Sequence, residues 1–211
     1  MDARNALQRI VAIVKMAYAI LVIVAGACGG AVYAGPAHNY SGDFNLPIPA
    51  KQNSSKGWMT DAVIKVPAHL IISDLDIGIA LTHTNAFDLQ IFLQSPNGTR
   101  ICLNTYNFYE FFKGGDYIQT IFDDEAALPI EHGAPPFIGQ FRPLEPYKLS
   151  KFDDEDACGS WRLQIYDAFY ADTGTLNSFE LTITAPEPNT ALLLTLAAGL
   201  MRLRKRPKQK L

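Results

Sequence analysis

The chain has 211 residues, and its 18 Lys and Arg side chains nearly balance its 21 Asp and Glu side chains. The balance is uneven, because residues 1–34 and 186–211 together hold nine basic but only two acidic residues. The intervening 151 residues therefore carry nine basic and 19 acidic side chains. This acidic segment has the size of one domain with its own core. Its charge excludes nucleic acid as a partner, because phosphate binding requires Lys and Arg.

The first 34 residues have the pattern of an export signal. Arg4, Arg9 and Lys15 precede an apolar run at residues 16–27, which is shorter than a membrane-spanning helix. The pattern predicts a signal-peptide helix, and the small residues at 32–34 predict cleavage before Gly35. Cleavage before Cys28, as in a lipoprotein, and an uncleaved anchor are the alternatives. Residues 35–44 are expected to form a linker.

The middle of the chain reads as all-β. Alternation of apolar and polar residues, interrupted by turn signals, predicts strands at 62–66, 70–81, 89–94, 99–103, 117–122, 161–167 and 178–184. Trp161 and Phe179 are expected to point into the core. The segment 128–147 contains five prolines, so it is expected to be a long connection rather than a helix or a central strand.

Five motifs in this region follow one another in a characteristic order. They lie at residues 83–99, which include the Ser-Pro-Asn-Gly turn, and at 118–124, 139–143, 149–152 and 159–181. Together they resemble the P domain (P/Homo B domain) that follows the catalytic domain of kexin- and furin-like subtilases. The resemblance covers residues 45–184 and implies a jelly-roll or Greek-key β-sandwich. Phe179, where the family usually has Trp, and the acidic loop at 153–156 depart from the family pattern.

The resemblance implies an accessory domain rather than an enzyme. The Asp, His and Ser motifs of a subtilase catalytic domain do not occur in the sequence. The four histidines form no metal-spaced pair, and His83 is expected to make a structural hydrogen bond near a strand end. We therefore expect no catalytic residues, and an association with serine endopeptidases and proteolysis only through the family.

Carboxylates at predicted strand ends suggest a structural calcium ion, because Ca²⁺ prefers six to eight oxygen ligands from loops. The candidate ligands are Asp88, Asp123, Asp124, Asp167 and Asp172. Three of these, Asp88, Asp167 and Asp172, match positions where the family carries aspartates. The alternative is that each Asp caps a turn by accepting hydrogen bonds from backbone N–H groups.

Two cysteines, Cys102 and Cys158, lie between the basic ends of the chain. An exported protein meets an oxidising compartment, so a disulfide between them is one interpretation. Two separate thiols, one of them buried, are the other.

The end of the chain resembles the PEP-CTERM sorting signal of bacterial exosortase systems. Pro186, Glu187 and Pro188 precede an apolar segment at 191–201 and a cluster of cations. The basic cluster would stay cytoplasmic while the apolar segment enters the inner membrane transiently. Residues 185–211 are therefore expected to be a sorting tail with an apolar helix, processed by an exosortase-like enzyme. A plain tail anchor is the alternative.

Three functions fit these observations. The first is an exported, non-catalytic module for binding or structure at the bacterial cell surface or in the extracellular matrix. The second is an accessory role beside a subtilisin-like endopeptidase. The third is a calcium-dependent jelly roll that binds exopolysaccharide.

Overall fold

A computed structural model describes residues 35–51, 57–106, 115–170 and 172–186. The described residues form nine strands and three short 3₁₀ helices. The strands are β1 (Ala37–Ile48), β2 (Ala62–Val66), β3 (Asp74–His83), β4 (Leu89–Gln94), β5 (Arg100–Asn104), β6 (Tyr117–Phe122), β7 (Phe137–Phe141), β8 (Gly159–Asp167) and β9 (Gly174–Thr184). The 3₁₀ helices are Ala86–Asp88, Ile130–His132 and Leu149–Phe152.

The strands form two sheets that pack as a sandwich, so the predicted all-β class is confirmed. One sheet has the order β1-β9-β3-β6-β7 and the other has the order β2-β8-β4-β5. All neighbours are antiparallel except β6 and β7, which are parallel. No helix among the described residues is both long and apolar enough to cross a membrane. The predicted signal helix and apolar tail helix lie outside the described residues.

The core lies between the two sheets and is built by the alternation that the sequence displays. In β8 the residues Trp161, Leu163 and Ile165 are fully buried, and Phe179 is fully buried in β9. The Trp161 ring packs edge-on against Phe152 at 5.2 Å, and its indole N–H donates to the carbonyl of Ala157 at 2.9 Å. A buried tryptophan with a satisfied N–H contributes both area and a fixed orientation to a core.

Three strand predictions are corrected by the structure. Residues 37–44, expected to be a linker, belong to β1, whose residues pair with β9 over most of its length. The strand predicted at 70–81 begins only at Asp74. The Pro-rich segment contains a short strand, β7, which lies at a sheet edge where the missing N–H groups of its flanking prolines cost nothing.

Candidate functional site

Three of the five predicted calcium ligands converge at one end of the sandwich. Asp167 is the last residue of β8, and Asp88 ends the 3₁₀ helix just before β4. The antiparallel pairing of these strands places Leu89 opposite Asp167, so the two carboxylates become neighbours. Asp172 joins them from the loop before β9, where it contacts Thr84.

Each of these carboxylates is already bonded to the protein. One oxygen of each accepts a hydrogen bond: Phe169 N–H donates to Asp167 at 2.9 Å, Asn85 Nδ2 to Asp88 at 2.8 Å and Thr84 Oγ1 to Asp172 at 2.7 Å. Short polar contacts to nearby loop residues are the bonds expected of turn-capping aspartates.

His83 joins Asp88, Asp167 and Asp172, and these four residues form the polar cluster. The side chains of His83 and Asp167 are fully buried, with His83 Nε2 lying 3.3 Å from Asp167 Oδ2. Nδ1 lies 2.8 Å from the carbonyl oxygen of Asn85, and the backbone N–H of His83 donates to Asp116 at 3.0 Å. The expected structural hydrogen bond of His83 is therefore confirmed. Among the described residues, no hydroxyl or thiol contacts either ring nitrogen.

Three buried atoms of the cluster have no aligned hydrogen-bond partner: Asp88 Oδ2, Asp167 Oδ2 and His83 Nε2. Nε2 and the Asp167 oxygen are close enough for an ion pair but are not aligned as donor and acceptor. Burial, reinforced by the charges of Asp167 and Asp172, raises the pKa of Asp88 to about 7. Asp88 and Asp172 are close enough to share a hydrogen bond. Two neighbouring carboxylates are most stable when one of them is protonated, and the raised pKa makes Asp88 the residue that holds this proton.

Asp123 and Asp124, the other two predicted ligands, do not join this cluster. Both oxygens of Asp124 accept backbone hydrogen bonds, from Leu149 at 2.8 Å and Ser150 at 2.9 Å. Asp123 Oδ1 accepts the N–H of Glu125 at 2.7 Å. These two residues cap a turn and a 3₁₀ helix, as the alternative interpretation expected. Burial raises the pKa of nearby Asp76 to about 7, and the negative charges of Asp123 and Asp124 contribute to the increase.

Calcium stays a prediction for the polar cluster. Within residues 35–51, 57–106, 115–170 and 172–186, no group of three or more His, Cys, Asp or Glu side chains is placed to hold a metal ion. The buried, unpartnered oxygens of Asp88 and Asp167 are the observation that still favours a cation.

Cys102 and Cys158 are both free thiols and Cys102 is buried, which is the second of the two interpretations of the sequence. Cys102 lies opposite Phe92, which lies opposite Gln164 on β8. Cys158 precedes β8 by one residue and is six positions from Gln164, so about 20 Å of strand separates the two cysteines. A disulfide requires Cα atoms within about 7 Å. Of the sorting triplet, only Pro186 lies within the described residues.

A second candidate site, which the sequence analysis missed, lies on the outer face of the sheet β2-β8-β4-β5. The exposed ring of Trp58 contacts Tyr166 at 4.9 Å and Phe92 at 6.1 Å between centroids. The Arg100 guanidinium lies 3.7 Å above the centroid of Phe92. Trp58 lies outside every predicted strand and reaches this face through a bridge to Tyr166. No local pattern marks it.

Comparison with known proteins agrees with this fold. The family model of the proprotein convertase P-domain matches residues 72–183. The chain therefore belongs to the proprotein convertase P-domain family, whose members are non-catalytic accessory domains of subtilases. No curated protein sequence matches the chain.

Two similar solved structures come from Aeromonas sobria. A serine protease in complex with a chaperone is 17% identical with a TM-score of 0.46, and the alignment covers 74% of this chain and 28% of that one. A structure of the serine protease of the same organism is 17% identical with a TM-score of 0.43, covering 72% and 27%. The chain thus spans about a quarter of the length of these proteases.

Proposed function

We propose that this protein is an exported, non-catalytic P-domain module that binds a partner at the bacterial cell surface or in the extracellular matrix. The observation that carries the proposal is the contrast between its two polar regions. His83 and Asp167, the titratable groups that an enzyme would need to expose, are fully buried, and each is hydrogen-bonded to a nearby backbone group. The side chains with unused binding capacity lie instead on an open sheet face.

Hydrolysis assays test the non-catalytic part. The purified full chain should release no product from casein or from peptide substrates of subtilases across pH 5–9. Release that disappears in a His83→Ala variant which still folds would contradict the proposal. Release that persists unchanged in that variant indicates a contaminating protease, and repurification to constant specific activity distinguishes this case.

Export is supported by the composition of both ends of the chain. A basic leader with an apolar run begins it, and a Pro-Glu-Pro triplet with an apolar segment and a basic cluster ends it. Cell fractionation and intact mass of the exported form would test this part. The expected result is a surface or extracellular species that begins at Gly35 and has lost the residues after the triplet. Retention of the intact chain in the cytoplasm would contradict export.

The family match favours one second candidate, an accessory role beside a subtilase. In this case the module would stabilise a protease encoded on a separate chain. Co-purification from the native host would test it, with a subtilase recovered in stoichiometric amount as the supporting result. Recovery without any subtilase would leave the surface-binding module as the function.

A further inference from the structure

The two sheets differ sharply in the charges carried by their strands. The strands of the β1-β9-β3-β6-β7 sheet contain no Lys or Arg, and their acidic residues are Asp43, Asp74, Asp76 and Glu180. The strands of the other sheet carry the cations Lys65, Arg100 and Arg162 and a single acid, Asp167, which is buried. Within the strands, the basic side chains therefore all lie on one sheet, where Asp61 from the loop before β2 neutralises one of them, Arg162.

Aromatic rings lie among the cations of this sheet. Trp58 is 43% exposed, and its ring continues into those of Phe92 and Tyr166. Arg100 stacks on Phe92 at 3.7 Å and lies 5.8 Å from the centroid of Trp58. Stacking of a guanidinium on rings fixes its plane and leaves its edge open to a ligand.

Most hydrogen-bond donors of Arg100 are unused. Its Nε–H donates to Gln164 Oε1 at 2.8 Å, and its other four N–H groups have no partner among the residues that the structure describes. By contrast, Arg162 is occupied, since its Nη1 lies 3.3 Å from Asp61. Arg100 is therefore a solvent-exposed fork of donors held in place by Phe92 and Gln164, the geometry that binds a carboxylate through two bonds.

The aromatic surface continues from Tyr166 into a cleft of ≈ 330 Å³. Four aromatic side chains line this cleft together with one cation and one amide, namely Tyr106, Tyr166, Phe169, Tyr170, Lys51 and Gln90. The Lys51 ammonium lies 5.9 Å from the ring centroid of Tyr170, which is 64% exposed. No acidic side chain lines the cleft among the described residues.

We propose that this surface, the cationic aromatic strip formed by Trp58, Phe92, Arg100 and Tyr166 with the adjoining cleft, binds an anionic polysaccharide. Exposed rings match the apolar faces of pyranose units, while the guanidinium and ammonium groups bind the carboxylates of uronic acids. A neutral polysaccharide would leave the donors of Arg100 unpaired, which is costly once water is excluded. An acidic peptide would supply carboxylates but no flat apolar faces for the rings. The assignment rests on the proposed surface-binding function and names its ligand class.

Tryptophan fluorescence of the purified full chain provides a direct test. The chain has two tryptophans. Trp161 is buried, so a ligand at the strip perturbs the emission of Trp58. The probes are polygalacturonate, its fully methyl-esterified form as the neutral match, and poly-glutamate as the acidic peptide. Calorimetry of the same titrations supplies affinities for variants that lack Trp58.

Matched control variants distinguish binding at the strip from effects of losing any exposed ring or any exposed positive charge. Trp58→Ala is compared with Tyr147→Ala, because Tyr147 is equally exposed at 44% but lies in the Pro-rich segment. Arg100→Gln is compared with Lys151→Gln, which removes one exposed cation elsewhere. Thermal unfolding confirms that each variant is folded before it is titrated.

The proposal predicts that polygalacturonate binds at least tenfold more tightly than its methyl ester and than poly-glutamate. Trp58→Ala and Arg100→Gln should each weaken binding tenfold or more, while both controls stay within twofold. Equal binding of the ester would overturn the anionic part of the assignment, and equal binding of poly-glutamate would replace it with an acidic protein partner. Absence of all binding by a folded chain that is still found at the cell surface would overturn the ligand class but leave the surface function intact.

Discussion

The polar cluster around His83 and the cationic aromatic strip around Trp58 differ in how exposed their side chains are and in how many hydrogen-bond donors are free to bind a ligand. At the cluster, the side chains of His83 and Asp167 are fully buried, and one oxygen of each aspartate accepts a hydrogen bond from a neighbouring residue. At the strip, rings are exposed and most donors of Arg100 are unpaired. Titratable residues concentrate at the first region, yet unused binding capacity concentrates at the second. The comparison suggests a division of roles, in which the clustered titratable residues of this domain stabilise its fold and the sheet face that we propose as the binding surface serves recognition.

The largest expected effect is a loss of folding stability when a buried residue of the polar cluster is substituted. Asp167→Ala removes a fully buried carboxylate that binds the Phe169 N–H and faces the His83 ring. Loss of this buried acceptor leaves the Phe169 N–H without its partner and costs about 1–3 kcal/mol, which urea unfolding measures directly. Asp61→Ala is the matched control, because its exposed ion pair with Arg162 is worth about 0.2–1 kcal/mol. Equal losses in both variants would remove the distinction between the regions.

Stability should also depend on pH through Asp88. Because the folded protein raises the pKa of this carboxyl to about 7 from an ordinary value of 3.8, the native state binds its proton more tightly than the unfolded state. The free energy of unfolding should therefore fall as pH rises from about 4 to 7 and then level off. Asp76, with its pKa also raised to about 7, contributes with the same sign.

Substitution tests this assignment. Asp88→Asn cannot ionise and should reduce the decline in unfolding free energy between pH 4 and 7, because Asp88 and Asp76 are the two carboxyls whose pKa is raised to about 7. The double variant Asp76→Asn, Asp88→Asn should flatten most of the rest. A full wild-type slope in both variants would show that the pH dependence arises elsewhere.

Calcium binding at the polar cluster would add a second difference between the two regions. Binding to Asp88, Asp167 and Asp172 predicts a rise in Tm of a few degrees with saturating Ca²⁺ relative to EDTA, because a ligand of the native state stabilises it. The rise should be larger at pH 8 than at pH 6, since the proton on Asp88 competes. It should vanish in Asp172→Asn and persist in Asp123→Asn. An unchanged Tm would contradict the calcium site, and a proton on Asp88 would then be what stabilises the neighbouring carboxylates.

The smallest expected effect concerns the thiols. Dithiothreitol should leave the Tm unchanged, because Cys102 and Cys158 are not bonded. Burial raises the pKa of Cys102 to about 11, so alkylation at pH 8, mapped by mass spectrometry, should label Cys158 well before Cys102. A Tm that drops on reduction would indicate a rearranged sheet.

Alternation of apolar and polar residues predicted those strands whose ends are marked by turn residues in the sequence. The bounds of β2, β4 and β6 were predicted to the residue, because alternation and turn residues mark both ends of each. The Ser95–Thr99 turn is closed as expected, with Gly98 at a φ of 91°. By contrast, β1 contains Gly42 and Asn45 and has no strong strand pattern. Its conformation comes from pairing with β9, more than a hundred residues away.

The candidate sites were predictable only in part, because strand pairing between distant segments decides which side chains meet. Family aspartates identified Asp88, Asp167 and Asp172, and strand pairing does bring them together. Asp123 and Asp124 have the same residue type and strand-end position, but the other sheet carries them away to cap Leu149 and Ser150. Trp58 and Arg100 are 42 positions apart in sequence and meet only across the completed sheet.

A paired measurement on Asp167→Asn and Trp58→Ala tests the central claim most directly. For each folded variant, the free energy of unfolding in urea and the affinity for polygalacturonate are compared with those of the wild-type chain. The account predicts that Asp167→Asn loses stability but keeps its affinity, whereas Trp58→Ala keeps its stability and loses affinity at least tenfold. The reverse pattern, with affinity lost at the buried cluster and retained at the strip, would contradict it.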